Sequence, residues 1–276
     1  MFSWNAIRTF CVTLLCLPLA HLVILISRDV VTALDSSPTT WQSQVDAYTR
    51  QDAKNIVLAN PIVVVGGRRA AIWRDLERIV TPGHVIVRSL GDATINDLTY
   101  YYDRLISRYL PKVVVLLPGN SEFRIRDNKS TSELVAAIKN FIAADDAPTG
   151  TRLLYIFIPI KTILYPGDHK TIDDAHEELA HWARRLSYVR IIDPNPILAT
   201  AGARPDAAFF RSNGVHLNDN GYERLGFLLR HQLSDDYPEE YAKPLYNSGT
   251  LQPQSTLELR HDFGTPHQLP LNATSG

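Results

Sequence analysis

Pro61 to Trp73 reads PIVVVGGRRAAIW, and this stretch decides the fold. Ile62 to Val65 is an unbroken run of four β-branched apolar residues, the pattern of a short strand buried on both faces. Gly66 and Gly67 allow a sharp turn, after which Arg68 to Trp73 reads as the start of a helix. In an open α/β sheet the carboxyl end of such a strand faces the ligand crevice. Arg68 and Arg69 are therefore expected to point into the site.

Working outward, the same alternation repeats. Further strands are expected at Val85 to Val87, Val113 to Leu117, Leu153 to Ile158 and Val189 to Ile192. Helical patterns follow the first four strands at Ala70 to Val80, Ile95 to Tyr109, Ser132 to Ala144 and Ile172 to Leu186. A last helix, Asp219 to Leu233, carries Tyr222, Leu225, Leu229 and Leu233 on one face, with Asn218 as its N-cap. Continuous apolar strands alternating with amphipathic helices imply a parallel five-stranded sheet inside a three-layer α/β/α sandwich. One such domain, residues 56–235, accounts for all of these elements.

At 276 residues the chain is long enough for a sizeable core. A net charge of -1 carries no electrostatic footprint for nucleic acid, so no nucleic-acid partner is expected. Both cysteines, Cys11 and Cys16, lie in the N-terminal apolar stretch, which leaves no disulfide framework or cysteine metal site elsewhere.

That stretch, Thr9 to Ser27, is 19 residues without Asp, Glu, Lys or Arg, between Arg8 and Arg28. At about 1.5 Å per residue it just crosses a bilayer core of about 30 Å. Residues 1–28 are read as a retained single-pass membrane anchor. A cleaved signal peptide is the rival, with Val31-Thr32-Ala33 as a passable cleavage site. Either way the rest of the chain is expected outside the cytoplasm, in the periplasm. His21 has two readings, a hydrogen bond to a neighbouring helix or an intramembrane ligand to a metal or tetrapyrrole. Residues 29–55 read as a linker followed by a helix around Gln42 to Lys54. From residue 236 to 276, Pro, Asn, Gln, Ser and Thr accumulate, implying a tail that is extended or ordered only against a partner.

Four loops follow strand ends and converge at one edge of the sheet: Gly66-Gly67-Arg68, Ser89-Leu90-Gly91-Asp92, Pro118-Gly119-Asn120-Ser121, and Phe210 to Asn218. In order and spacing these blocks resemble the SGNH/GDSL hydrolase family, ester hydrolases on a flavodoxin-like sheet, and most of all its bacterial extracytoplasmic branch. The block GVHLNDNGY (Gly214 to Tyr222) is the most specific, and Ile72-Trp73 and Tyr100-Tyr101-Tyr102-Asp103-Arg104-Leu105 extend the similarity beyond the site. The resemblance implies roles residue by residue. Gly91 matches the glycine whose N–H helps form the oxyanion hole. Asn120 matches the oxyanion amide, although Pro118 and Ser121 replace that block's glycine and aspartate. His216 matches the general base. The family's nucleophilic serine corresponds to Arg68, and its orienting aspartate corresponds to Asn213.

Those departures bear on chemistry. A guanidinium stays protonated and cannot attack a carbonyl. Losing a serine nucleophile costs about 10⁶-fold in rate, and asparagine for the triad aspartate roughly 10⁴-fold through the wrong imidazole tautomer. A cation near His216 further opposes its work as a base. Ser89, Ser121 and Ser212 lie in the right loops but on other strand ends, where loop hydroxyls ordinarily cap turns. His169, His176 and His181 are read as a solvated helix face, with Asp173 beside His176 or Glu177 beside His181. No metal site and no cofactor are expected, and Gly66-Gly67 lacks the spacing of a nucleotide fingerprint.

Arg68 and Arg69 keep two readings. One is an internal salt bridge to Asp92 or Glu122 that fills the crevice. The other is binding of a carboxylate, sulfate or phosphate. The function expected from all this is a membrane-anchored, SGNH-like, non-catalytic binding or accessory subunit beside a membrane or envelope protein. The alternative is an esterase acting on carbohydrate or lipid acyl esters through an unconventional nucleophile.

Overall fold

The computed structural model describes residues 37–54, 59–124, 126–147 and 152–241, with residues 8, 14, 16–25 and 27 of the N-terminal segment. Five short parallel strands form one sheet: β1 (Ile62–Gly66), β2 (Val85–Ser89), β3 (Val113–Leu117), β4 (Leu153–Phe157) and β5 (Val189–Ile192). Their order is β2-β1-β3-β4-β5, and all four pairings are parallel. The sequence predicts this sheet to within a residue or two at each end. Successive side chains enter opposite layers because a strand has a period of two. Val63 and Val65 join Val114, Leu116, Leu154 and Ile156 in one core. Ile62 and Val64 join Val113, Val115, Tyr155 and Phe157 in the other.

On the first face lie α1 (Gln42–Asp52), α4 (Ile95–Tyr100), α5 (Tyr102–Leu105), α6 (Thr131–Ala143) and α7 (His169–Ala183). The second face is covered by α2 (Arg68–Ala71), α3 (Leu76–Val80), α8 (Asp219–Asp236) and α9 (Pro238–Tyr241). The Asn218 side chain accepts from the Gly221 N–H and caps α8 as predicted. The helix then runs three residues past the predicted end, and Tyr241 packs into the second core. Helix α1 likewise belongs to the body of the domain, since Val45 is buried in the first core.

Two predicted helices are broken. Ile95 to Tyr109 divides at Tyr101 and again at Ile106, where φ is -132°. Tyr101 and Tyr102 are both buried, as are Leu105 and Ile106. Adjacent residues of a straight helix point about 100° apart, so the backbone bends to bring both members of each pair inward. Ala70 to Val80 divides at Ile72, and Trp73 turns in against Tyr222, with ring centroids 5.9 Å apart.

The predicted anchor, Thr9 to Ser27, lies only partly within the described residues. Residues 16–25 are helical with Leu17, Leu19, Leu22, Val23 and Ile24 exposed. No described helix is long and apolar enough to cross a membrane. Residues 29–36 and the predicted tail beyond Tyr241 lie outside the described residues.

Candidate functional site

In a 2-1-3-4-5 sheet the connections from β1 and β3 leave in opposite directions, opening a crevice at their carboxyl ends. The loops after those two strands carry Arg68-Arg69 and Gly119-Asn120. They line a crevice of about 1120 Å³ together with Asp92, Arg124, Arg126, Tyr165 and His216. The structure thus brings Arg68, Arg69, Asn120 and His216 to one wall-to-wall site. Gly91 lies in the loop after β2. Its φ is +22°, and a Cβ there would lie 2.6 Å from the Trp41 ring, so the ring approaches its backbone where only glycine leaves room.

The two neighbouring arginines are differently employed. Arg68 is exposed and makes a two-point contact with Asp92, at 3.2 Å from Nε and 3.0 Å from Nη2. The pairing with Asp92 is the one anticipated for it, but the ion pair is exposed and leaves the crevice open instead of filling it. Glu122, the other acid anticipated, is buried instead against Lys129 at 2.8 Å and accepts the Ile95 N–H. Arg69 turns the other way and is 6% exposed. It donates to the Pro118 carbonyl at 3.0 Å and to Asn120 Oδ1 at 3.2 Å, while Tyr222 Oη donates to its own carbonyl. Among the described residues it has no carboxylate partner.

A guanidinium has no acceptor, so Asn120 must present oxygen to Arg69. That leaves the Asn120 amide nitrogen, which is buried and has no hydrogen-bond partner among the described residues. Arg124 fixes the same residue from outside, donating from Nε to the Asn120 carbonyl while stacked 3.7 Å over the Tyr165 ring.

His216 is oriented by an argument of the same kind. Asn213 Oδ1 accepts from the backbone N–H groups of Val215 and His216, both at 3.1 Å. Its amide nitrogen therefore faces His216 Nδ1, at 2.7 Å, and donates to it. A ring accepting at Nδ1 carries its proton on Nε2 when neutral. Burial, then the guanidiniums of Arg69, Arg68 and Arg211, hold the imidazole below its ordinary range. His216 is thus a neutral ring whose second nitrogen is a donor. A base in a serine triad needs a lone pair at that nitrogen.

None of Ser89, Ser121 and Ser212 is hydrogen-bonded to His216; Ser89 Oγ lies 3.5 Å from the Tyr48 hydroxyl, and Ser121 lines the crevice. His176 faces Asp193 at 3.4 Å rather than Asp173, which pairs with Lys161. No group of acids, histidines and cysteines suited to a metal occurs among the described residues. Sequence reasoning missed Arg124 and Tyr165, which come from the segments after β3 and β4 and carry no motif. It also missed the lone amide of Asn120. Only the contact with Arg69 reveals that amide.

No family model matches the sequence. No curated protein matches it either. Solved structures do. A Streptococcus pneumonia protein provisionally described as a platelet activating factor aligns with a TM-score of 0.63 at 14% identity, over 78% of this chain and 99% of that one. A GDSL-like lipase from Bacteroides thetaiotaomicron aligns at 0.59 and 11% identity, over 70% and 98%. The family 3 carbohydrate esterase of Clostridium thermocellum aligns at 0.53 and 14%, over 67% and 100%. The structural neighbours are consistently GDSL-like lipases, acylhydrolases and esterases, and the chain has the SGNH/GDSL hydrolase fold.

Proposed function

We propose that this chain is an SGNH-fold protein without serine catalysis, acting as a binding or accessory subunit held at a membrane by its N-terminal segment. The observation that carries the reading is what stands at the two positions that acyl transfer depends on. Arg68 stands where the resemblance calls for a serine, and His216 presents Nε2–H instead of a lone pair. A general base and a nucleophile are both needed for acyl transfer, and each replacement costs several kcal/mol of barrier. The 19-residue apolar stretch supports tethering, with the folded domain on the extracytoplasmic side beside an envelope or membrane partner.

The second reading is an ester hydrolase with an unconventional nucleophile. It is favoured by the fold of the structural neighbours and by Ser121, which lines the crevice with His216. Turnover of p-nitrophenyl acetate by wild type, Ser121→Ala and His216→Ala separates the two. The binding reading expects no turnover above buffer in any of them; turnover lost in His216→Ala would replace it with the enzyme. Purification from detergent-solubilised membranes tests the partner: a chain that runs alone, with no reproducible companion, counts against the accessory role.

A further inference from the structure

Four arginines line the crevice, and their charges are answered unequally. Arg68 holds Asp92, Arg124 holds Asp168, and Arg126 is shared between Asp97 and Asp127. Arg69 is the most deeply buried of the four, yet among the described residues only neutral oxygens, those of Pro118 and Asn120, accept from it. A buried cation without an anion is costly, and proteins ordinarily pair it. Beside it sits the Asn120 amide nitrogen, buried and unused. His216, on the same crevice, offers a third donor at Nε2. All three residues line the same crevice, and the Asn120 oxygen and His216 Nδ1 are already engaged, by Arg69 and Asn213.

We propose that this crevice binds the carboxylate of an organic anion, with Arg69 as its counter-charge and the Asn120 amide and His216 Nε2–H as its hydrogen-bond donors. The proposal rests on the non-catalytic reading, since an Nε2–H donor suits a bound anion and not a triad. A carboxylate is selected over phosphate by charge, because one unanswered guanidinium matches a monoanion. It is selected by shape as well, because the Asp92 carboxylate already occupies the neighbouring Arg68 fork in two-point fashion. That Arg68–Asp92 pair is exposed on both sides, so it is weak and exchangeable. Asp92 thus acts as an internal stand-in, which an incoming carboxylate displaces to gain Arg68 as a second cation. The crevice volume far exceeds a carboxylate alone, leaving room for a ring-sized body beside Tyr165 and Phe123.

The test uses the full-length protein in detergent, titrated calorimetrically with glucuronate, glucuronic acid methyl ester, inorganic phosphate and sulfate. Glucuronate is expected to bind and the uncharged ester not. Asn120→Asp, which keeps the Arg69 contact but supplies its missing anion, should weaken glucuronate at least tenfold without unfolding the chain. Asp92→Asn, on the surface, should tighten it several-fold. Ester and acid binding equally, phosphate or sulfate outcompeting glucuronate, or Asn120→Asp binding like wild type would each overturn the carboxylate site. The same preparations are assayed with p-nitrophenyl acetate. Absent glucuronate binding together with absent turnover removes this site and leaves the non-catalytic reading standing. His216-dependent turnover removes that reading, while the calorimetry still decides the carboxylate.

Discussion

His216 shows how much a single amide decides. With aspartate at 213 the ring would donate from Nδ1 and keep a lone pair at Nε2; with Asn213 the donation reverses. The consequence is measurable as pH dependence. Burial and three guanidiniums depress the folded-state pKa of His216, while the unfolded chain titrates in the ordinary range near 6.5. Between those two values the unfolded state binds more protons, so stability falls as the pH drops below the unfolded value and levels out below the folded one. Melting temperatures of wild type and His216→Gln, compared from pH 8 to pH 5, should converge toward low pH as only the wild type meets this penalty. Parallel curves would refute the assignment. Gly66 is decisive in another way: an added Cβ would lie 2.4 Å from the Leu117 carbonyl oxygen, across the crevice-forming strand pair. Gly66→Ala is expected to cost about 1–3 kcal/mol in urea denaturation, as overpacking does.

At the scale of elements, the surprise is helix α1. Its sequence is polar and weakly patterned, with only Val45 fully buried. What docks it is a cluster at its end: Asp52 accepts from Arg88 of β2 and from Tyr109, and Arg88 lies 4.7 Å over the Tyr48 ring. Both charged side chains are less than 10% exposed. Asp52→Ala would leave a buried guanidinium without its anion, at a cost of about 3–5 kcal/mol. Asp52→Asn, which keeps one acceptor, should cost less, and chemical denaturation of the two variants checks the order. Charge at long separation, not hydrophobic period, holds this helix, so its tertiary role was not visible in a local window. The broken helix after β2 teaches the same lesson in reverse. The run Tyr100-Tyr101-Tyr102 satisfies a helical pattern locally, and only the first core, which takes in both Tyr101 and Tyr102, forces the kink.

For the whole molecule, the proposed tether separates two behaviours that can be measured independently. Thr9 to Ser27 is expected to carry the chain into the membrane fraction, and a chain beginning at Ser37 should partition as a soluble protein. Recovery of both in the same fraction after carbonate washing would argue against tethering. The domain from Ser37 to Tyr241 holds the contacts described here: the sheet, both cores, the α1 cluster and the crevice.

The strands and their order of appearance were legible because each is a continuous apolar run, and a sheet covered on both faces demands that pattern. The four loops were legible because parallel connectivity sends every strand end to one edge, so residues far apart in sequence share a site. That two cations stand at the first of those ends is written in the chain itself. Which of them is spent and which is not was decided only by folding. Arg68 meets Asp92 across 24 positions and is answered, while Arg69 turns inward to a carbonyl and an amide and is left with its charge. The difference lies in the direction of two side chains on consecutive residues, which a helix start sets about 100° apart and which no one-dimensional pattern records.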